Sequence, residues 1–129
     1  GLFDAILIKD NHLAAVHSSE HGREIEIAIS RCRYEFPRLS VEVEVDSLPQ
    51  FEVALSCQPE IILLDNMSPE QCKEAVRINE GRVLLEASGG ITLDTVRSYA
   101  QAGVDFIAVG AITHSAPILD ICLDISEVI

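Results

Sequence analysis

The alternation of apolar and helical stretches predicts an α/β domain of parallel strands, and more narrowly part of a (β/α) barrel. Three observations carry this. Through the later chain, short apolar runs recur roughly 20 to 25 residues apart with helical patterns between them, the cadence of βαβ units. Nearly every run closes on a polar or glycine residue, with Lys9, Asp46, Asp65, Ser88 and Gly110 all at strand ends, where barrels place their chemistry. Val41 to Asp46 alternates strictly as Val-Glu-Val-Glu-Val-Asp, so one face of that strand is apolar and the other acidic. An open doubly wound sheet fits the same element order, and the polar strand ends favour the barrel. About five strands are too few to close the usual eight. The expectation is a partial barrel over residues 1–118 with a tail at 119–129.

In order, a strand is predicted from Asp4 to Lys9, then a helix from His21 to Phe36 that Pro37 stops. Ile25, Ile29 and Cys32 lie about one turn apart on that helix. After the Val41–Asp46 strand, Leu48 to Cys57 reads as a helix with Phe51, Ala54 and Leu55 inward. Glu60 to Leu64 is the next strand. Ser68-Pro69 opens a helix to about Asn79, with Ser as N-cap and Pro at the first helical position. Val83 to Ser88 is a strand that turns through Gly89 and Gly90 into a helix from Thr92 to Ala102, closed by Gly103. Asp105 to Val109 is the fifth strand, and Leu119 to Ile125 is the candidate sixth.

Composition narrows the function. The chain has 129 residues, enough for one domain with a real core. Its 21 Asp and Glu against 9 Lys and Arg argue against nucleic acid, which needs a basic surface. No apolar run reaches membrane-spanning length, and the start shows no signal-peptide pattern. Four cysteines without a close pair match neither a zinc motif nor a redox dithiol, and read as reduced, mostly buried thiols of a cytoplasmic protein.

The chemistry concentrates at the strand ends. Ser88-Gly89-Gly90 before a helix start could offer N–H groups to a phosphate, although glycines here serve equally as a plain turn. Glu42, Glu44 and Asp46 share one strand face. Pointed into a barrel, such carboxylates need cations, a metal or water, whereas on an edge strand they would be an ordinary wet face. Lys9 is the expected interior partner, or else a surface lysine. Asp65-Asn66 closes a strand as a ligand or as a turn-former. Glu86 alternates with Ser88 and faces the same interior, as a site residue or a structural partner of Lys9. His114 follows the fifth strand as a loop or site residue, while His12, His17 and His21 show no ligand pattern. Oxygen ligands suited to magnesium are the better expectation for any metal.

Taken together, these motifs resemble quinolinate phosphoribosyltransferase. The resemblance runs from about Leu2 to Asp124 and rests on Leu7-Ile8-Lys9-Asp10-Asn11-His12, Glu42-Val43-Glu44-Val45-Asp46, Leu63-Leu64-Asp65-Asn66-Met67, Leu85-Glu86-Ala87-Ser88-Gly89-Gly90-Ile91 and Gly110-Ala111-Ile112-Thr113-His114-Ser115. It implies transfer of phosphoribose from phosphoribosyl pyrophosphate to quinolinate with magnesium, giving nicotinate mononucleotide, pyrophosphate and carbon dioxide for NAD. By the same token Lys9 contacts the anionic substrates. Glu44 and Asp65 form the acidic pair on the ribose and magnesium side. Ser88, Gly89, Gly90 and Gly110 cradle phosphate, with His114 close by. The family also dimerises, carries an N-terminal half whose cations grip quinolinate, and returns its tail to that half. None of those cations is in this sequence, so the expectation is a C-terminal catalytic half, inactive alone. Three other readings share parts of the pattern: the molybdenum-transport-associated paralogue, another phosphate-binding barrel enzyme such as a thiamin- or indole-pathway synthase, and a non-catalytic assembly fragment.

Overall fold

The computed structural model describes residues 4–16 and 23–113. Five strands, β1 (Ala5–Ile8), β2 (Ser40–Val45), β3 (Ile61–Asp65), β4 (Leu84–Ser88) and β5 (Phe106–Ile107), form one parallel sheet. Sheet order equals chain order, β1-β2-β3-β4-β5. A doubly wound sheet reverses direction at a switch point, and no reversal occurs here. Because crossovers between parallel neighbours keep one hand, an unreversed order places every connecting helix on the same face. The barrel-type arrangement expected from the sequence is the one adopted.

Alternation then sorts the residues. Val41, Val43 and Val45 of β2, Ile62 and Leu64 of β3, and Leu85 and Ala87 of β4 are all sealed at 1% exposure or less. They join one core with Ile25, Ala28 and Ile29 of α2 (Glu24–Glu35), Phe51, Ala54 and Leu55 of α3 (Leu48–Ser56), and Cys72 and Ala75 of α4 (Pro69–Asn79). Each fully buried Val or Leu contributes about 1.5–3 kcal/mol over an exposed one. Burial also pushes the Cys72 thiol up to about 11, leaving it inert as a nucleophile. Cys32 and Cys57 are half-buried rather than sealed.

On the opposite face, strand pairing aligns Leu7, Glu42, Ile61 and Leu84 in one row and Glu44, Leu63, Glu86 and Phe106 in the next. Leu7, Leu84 and Phe106 remain 40–47% exposed. At the strand starts, main-chain donors are closed by side chains. The Glu60 carboxylate accepts from the Val41 N–H at 2.7 Å, and that of Asp105 from the Leu85 N–H at 2.8 Å. These acids are structural.

Helix ends follow local chemistry. At α4 the Ser68 hydroxyl accepts from the Gln71 N–H at 3.2 Å while the Gln71 side chain accepts from the Ser68 N–H at 2.8 Å, a reciprocal capping box. Three features depart from expectation. A short helix α1 (Asp10–Ala14) follows Lys9, and His12 Nδ1 accepts from the Lys9 N–H at 3.0 Å. Helix α5 covers Val96–Ala102 rather than starting at Thr92. Thr92 donates its N–H to the Thr95 hydroxyl at 3.0 Å and closes a turn, so Thr95 is the cap. Strand β5 covers only Phe106–Ile107 rather than Asp105 to Val109, and a 3₁₀ turn at Gly110–Ile112 follows. The predicted strand at 119–125, the tail at 119–129, His17, His21, Cys122 and His114 lie outside the described residues.

The two faces make a direct prediction. Leu64→Ala on the helix side is expected to lower unfolding free energy by about 2–5 kcal/mol. Leu84→Ala on the open face should cost under about 1 kcal/mol. Urea denaturation of both variants measures the contrast, and equal losses would mean that both faces are covered.

Candidate active site at the strand C-terminal edge

Because the strands are parallel and adjacent in order, their C-terminal ends form one rim. Lys9 lies just past β1, Glu44 near the end of β2, Asp65 at the end of β3, Ser88 at the end of β4, and Gly110 shortly past β5. The structure therefore brings Lys9, Glu44, Asp65, Ser88 and Gly110 to one edge of the sheet, while Glu42 and Glu86 lie within the strands. Glu44 and Asp65 face the same side of the sheet, and Asp65 pairs in register with Ser88. Asp46 sits one residue past β2, exposed, its N–H held by the Gln50 side chain at 3.1 Å.

Lys9 Nζ lies 3.2 Å from Glu44 Oε2; the lysine is half-exposed and the glutamate largely covered. Burial pushes the Glu44 carboxyl above the usual carboxylate range, Lys9 pulls it partly back, and Asp65 and Asp10 push it up again. A cavity of about 150 Å³ gathers Asp10, Leu13, Glu44, Asp46, Gln50 and Asp65. Beside it, a larger one of about 540 Å³ is lined by Ser88 through Thr92 and by Ala108, Gly110 and Ala111. One end of the rim is acidic with a single lysine. The other is glycine-rich.

The glycine end has a tight geometry. Gly89 and Gly90 have φ of +91° and +60°. A Cβ on Gly89 would lie 2.3 Å from Asn66 Oδ1 and 2.6 Å from the Asn66 backbone N, while one on Gly90 would meet nothing within 4 Å. Thus Gly89 serves close approach as well as φ, and Gly90 serves φ alone. No described residue accepts a hydrogen bond from the Gly89 or Gly90 N–H, and both residues line the larger cavity. The Thr92 N–H, by contrast, is taken by Thr95 and does not add to an anion site.

Glu42 and Glu86 lie deeper on the open face. Burial raises the Glu42 carboxyl above its ordinary 4.5, and repulsion from Glu86 and then Glu44 adds to this. No described cation pairs with Glu42. Among the described residues no group of three or more His, Cys, Asp or Glu could hold a metal. The sequence pattern gave Asp10 no role and Asn66 only that of a turn-former. Asp10 reaches the cavity from the unpredicted α1, and Asn66 sits behind Gly89 at φ +53°.

A parallel α/β domain with a sequential barrel-type sheet, whose acids, lysine and glycine turn share the strand C-terminal rim, defines the class: a (β/α)-barrel-type domain. Residues 1–124 match the family described as quinolinate phosphoribosyl transferase, C-terminal domain, and the chain belongs to that family. It is 49% identical over 128 residues to the carboxylating nicotinate-nucleotide pyrophosphorylase of Mycobacterium leprae, covering 97% of this chain and 43% of that protein. The solved nicotinate-nucleotide pyrophosphorylase of Francisella tularensis superposes with a TM-score of 0.79 at 41% identity, over 88% of this chain and 38% of that one. A thiamine phosphate pyrophosphorylase from Pyrococcus furiosus shares the fold alone, at a TM-score of 0.61 and 21% identity, over 82% of this chain and 48% of that one. The chain spans less than half the length of each.

Two predictions follow from this geometry. Gly89→Ala must displace Asn66 and strain φ, costing about 3 kcal/mol or more, whereas Gly90→Ala pays only for φ, about 1–2 kcal/mol. Thermal melts of the two variants rank them, and equal shifts would contradict the close approach.

Glu42 has a folded-state carboxyl raised above its unfolded value. Its stabilising contribution is therefore present below 4.5 and lost as pH rises through the raised value. Glu42→Gln should then raise the urea midpoint at pH 7, with the gain fading as pH falls to 4.5; a gain independent of pH would rule out titration as its cause.

Proposed function

We propose that this chain is the phosphoribosyl-handling part of a quinolinate phosphoribosyltransferase, acting in NAD biosynthesis on phosphoribosyl pyrophosphate and quinolinate. One observation carries the reading: the acidic Glu44–Asp65 pair and the open Gly89–Gly90 amides lie side by side on one rim. The matched relatives' name agrees with it, and neither the paralogue nor the assembly-fragment reading is favoured by the matches.

In the reaction, the bond from the anomeric ribose carbon to pyrophosphate breaks and its electron pair leaves with pyrophosphate. The quinolinate ring nitrogen then forms the new bond to that carbon. Positive charge builds on the sugar, where fixed carboxylates at Glu44 and Asp65 stabilise it. Negative charge builds on the leaving group, where N–H groups at Gly89 and Gly90, the Ser88 hydroxyl and the turn at Gly110 accept it. Lys9 holds Glu44 in place and adds one positive charge for the anionic substrates; Glu86 and His114 are proposed as further substrate-binding residues. The new pyridinium charge lets the neighbouring carboxyl depart as carbon dioxide, its electron pair staying on the ring carbon and taking up a proton.

Magnesium fits this donor set as a shared ion, since it is commonly held by one or two carboxylates plus substrate phosphates. Glu44 and Asp65 would hold it, and it would offset pyrophosphate charge. Each carboxylate has one oxygen engaged, Glu44 Oε2 by Lys9 and Asp65 Oδ2 by Asn66, and keeps the other for the ion.

A dianionic quinolinate needs several cations, and on the open face only Lys9 among the described residues faces the acids. Turnover therefore draws on cations from beyond these elements. The working enzyme is read as a cytoplasmic homodimer in which residues 1–118 form the barrel part and 119–129 return toward an N-terminal domain. The purified 129-residue chain should bind phosphoribosyl pyrophosphate by titration calorimetry only with magnesium, and should not turn over quinolinate. Asp65→Asn should weaken binding at least about tenfold. Magnesium-independent binding, or robust turnover by the chain alone, would refute this division of labour.

A further inference from the structure

We propose that Asn66 is a positioning residue that fastens the Asp65 carboxylate and the Ser88–Gly89 turn into one unit. Three contacts converge on it. Its side-chain Nδ2 donates to Asp65 Oδ2 at 2.7 Å. Its backbone N–H donates across to the Ser88 carbonyl at 3.0 Å, continuing the β3–β4 pairing one step past the strands. Its amide oxygen and backbone nitrogen fill the space where a Gly89 Cβ would stand.

The residue type answers a specific demand. The backbone has φ +53°, which asparagine tolerates better than most side chains. Aspartate could adopt that conformation too, but it has no N–H to donate and would set one carboxylate against another. Glycine could adopt it, but would leave Asp65 free to rotate and a gap behind Gly89. Only an amide meets all three requirements.

The consequence is directional. With Oδ2 engaged by Asn66, the Asp65 carboxylate keeps Oδ1 for a ligand in the cavity that Asp65 lines with Glu44. The same residue sets where the Gly89 and Gly90 amides stand. A ligand bridging the acidic and glycine ends thus meets two groups spaced by one side chain.

The identity of that ligand rests on the phosphoribosyl reading above; the fastening does not. Two measurements on the 129-residue chain separate them. In ¹H–¹⁵N spectra, the donated Asn66 side-chain proton should lie downfield. It should return toward the free-amide position in Asp65→Ala, or in Asp65→Val should the alanine variant not fold, with Ser88 and Gly89 amides moving as well. Asn66 resonances indifferent to both substitutions would overturn the proposal.

By calorimetry with phosphoribosyl pyrophosphate and magnesium, Asn66→Gly and Asn66→Asp should each bind about tenfold more weakly at near-unchanged melting temperature. Adding Asn66→Gly to Asp65→Ala should weaken binding by less than the product of the two single losses, because Asn66 acts partly through Asp65. Wild-type affinity in both Asn66 variants, or losses that multiply in the double variant, would also overturn it. Should the wild-type chain not bind this ligand, the functional reading fails and the spectra alone decide the role of Asn66.

Discussion

Strict alternation along parallel strands in chain order is the constraint on which the rest depends. It seals Val41, Val43 and Val45 against the helices and thereby fixes Glu42 and Glu44 on the other face. Slipping β2 by one residue would bury two carboxylates in an apolar core, at a cost of several kcal/mol each. Register is therefore held by desolvation as much as by hydrogen bonds. The same constraint gathers every strand's C-terminal end on one side, so a rim of functional groups arises from chain direction alone.

Along that rim the two ends work by different physics. Glu44 is a carboxyl raised by burial and only partly neutralised by Lys9, so the acidic end is ready to accept further positive charge. The glycine end offers open backbone donors, which carry partial positive charge without a side chain. A sugar pyrophosphate with its cation presents the complementary pattern, positive at the metal and negative at the phosphates. Asp65 and Ser88, paired across adjacent strands, mark the seam between the two ends.

Much of this was legible in the sequence where the signal is local. Val-Glu-Val-Glu-Val gave both faces of β2, Ser68-Pro69 gave the start of α4, and Phe51, Ala54 and Leu55 gave the buried side of α3. What escaped depends on contacts or lengths that a local pattern does not encode. Helix α1 spans five residues, too short for periodicity to register. Thr92 and Thr95 both suit an N-cap, and the turn entered from Gly90 decides for Thr95. Asn66 after Asp65 reads as a turn-former, because its partners on the neighbouring strand's turn become visible only in three dimensions. The Lys9–Glu44 pairing was approachable because it needs only two strand ends side by side.

The account stands or falls on where a sugar pyrophosphate and its cation settle. A crystal structure of the chain grown with phosphoribosyl pyrophosphate and manganese, with anomalous data locating the metal, tests this most directly. The account predicts a metal peak beside the Asp65 carboxylate and pyrophosphate density on the Gly89 and Gly90 amides. Metal and phosphate density at the strand starts instead, in the cavity of about 400 Å³ around Glu60, Arg82 and Asp105, would contradict it.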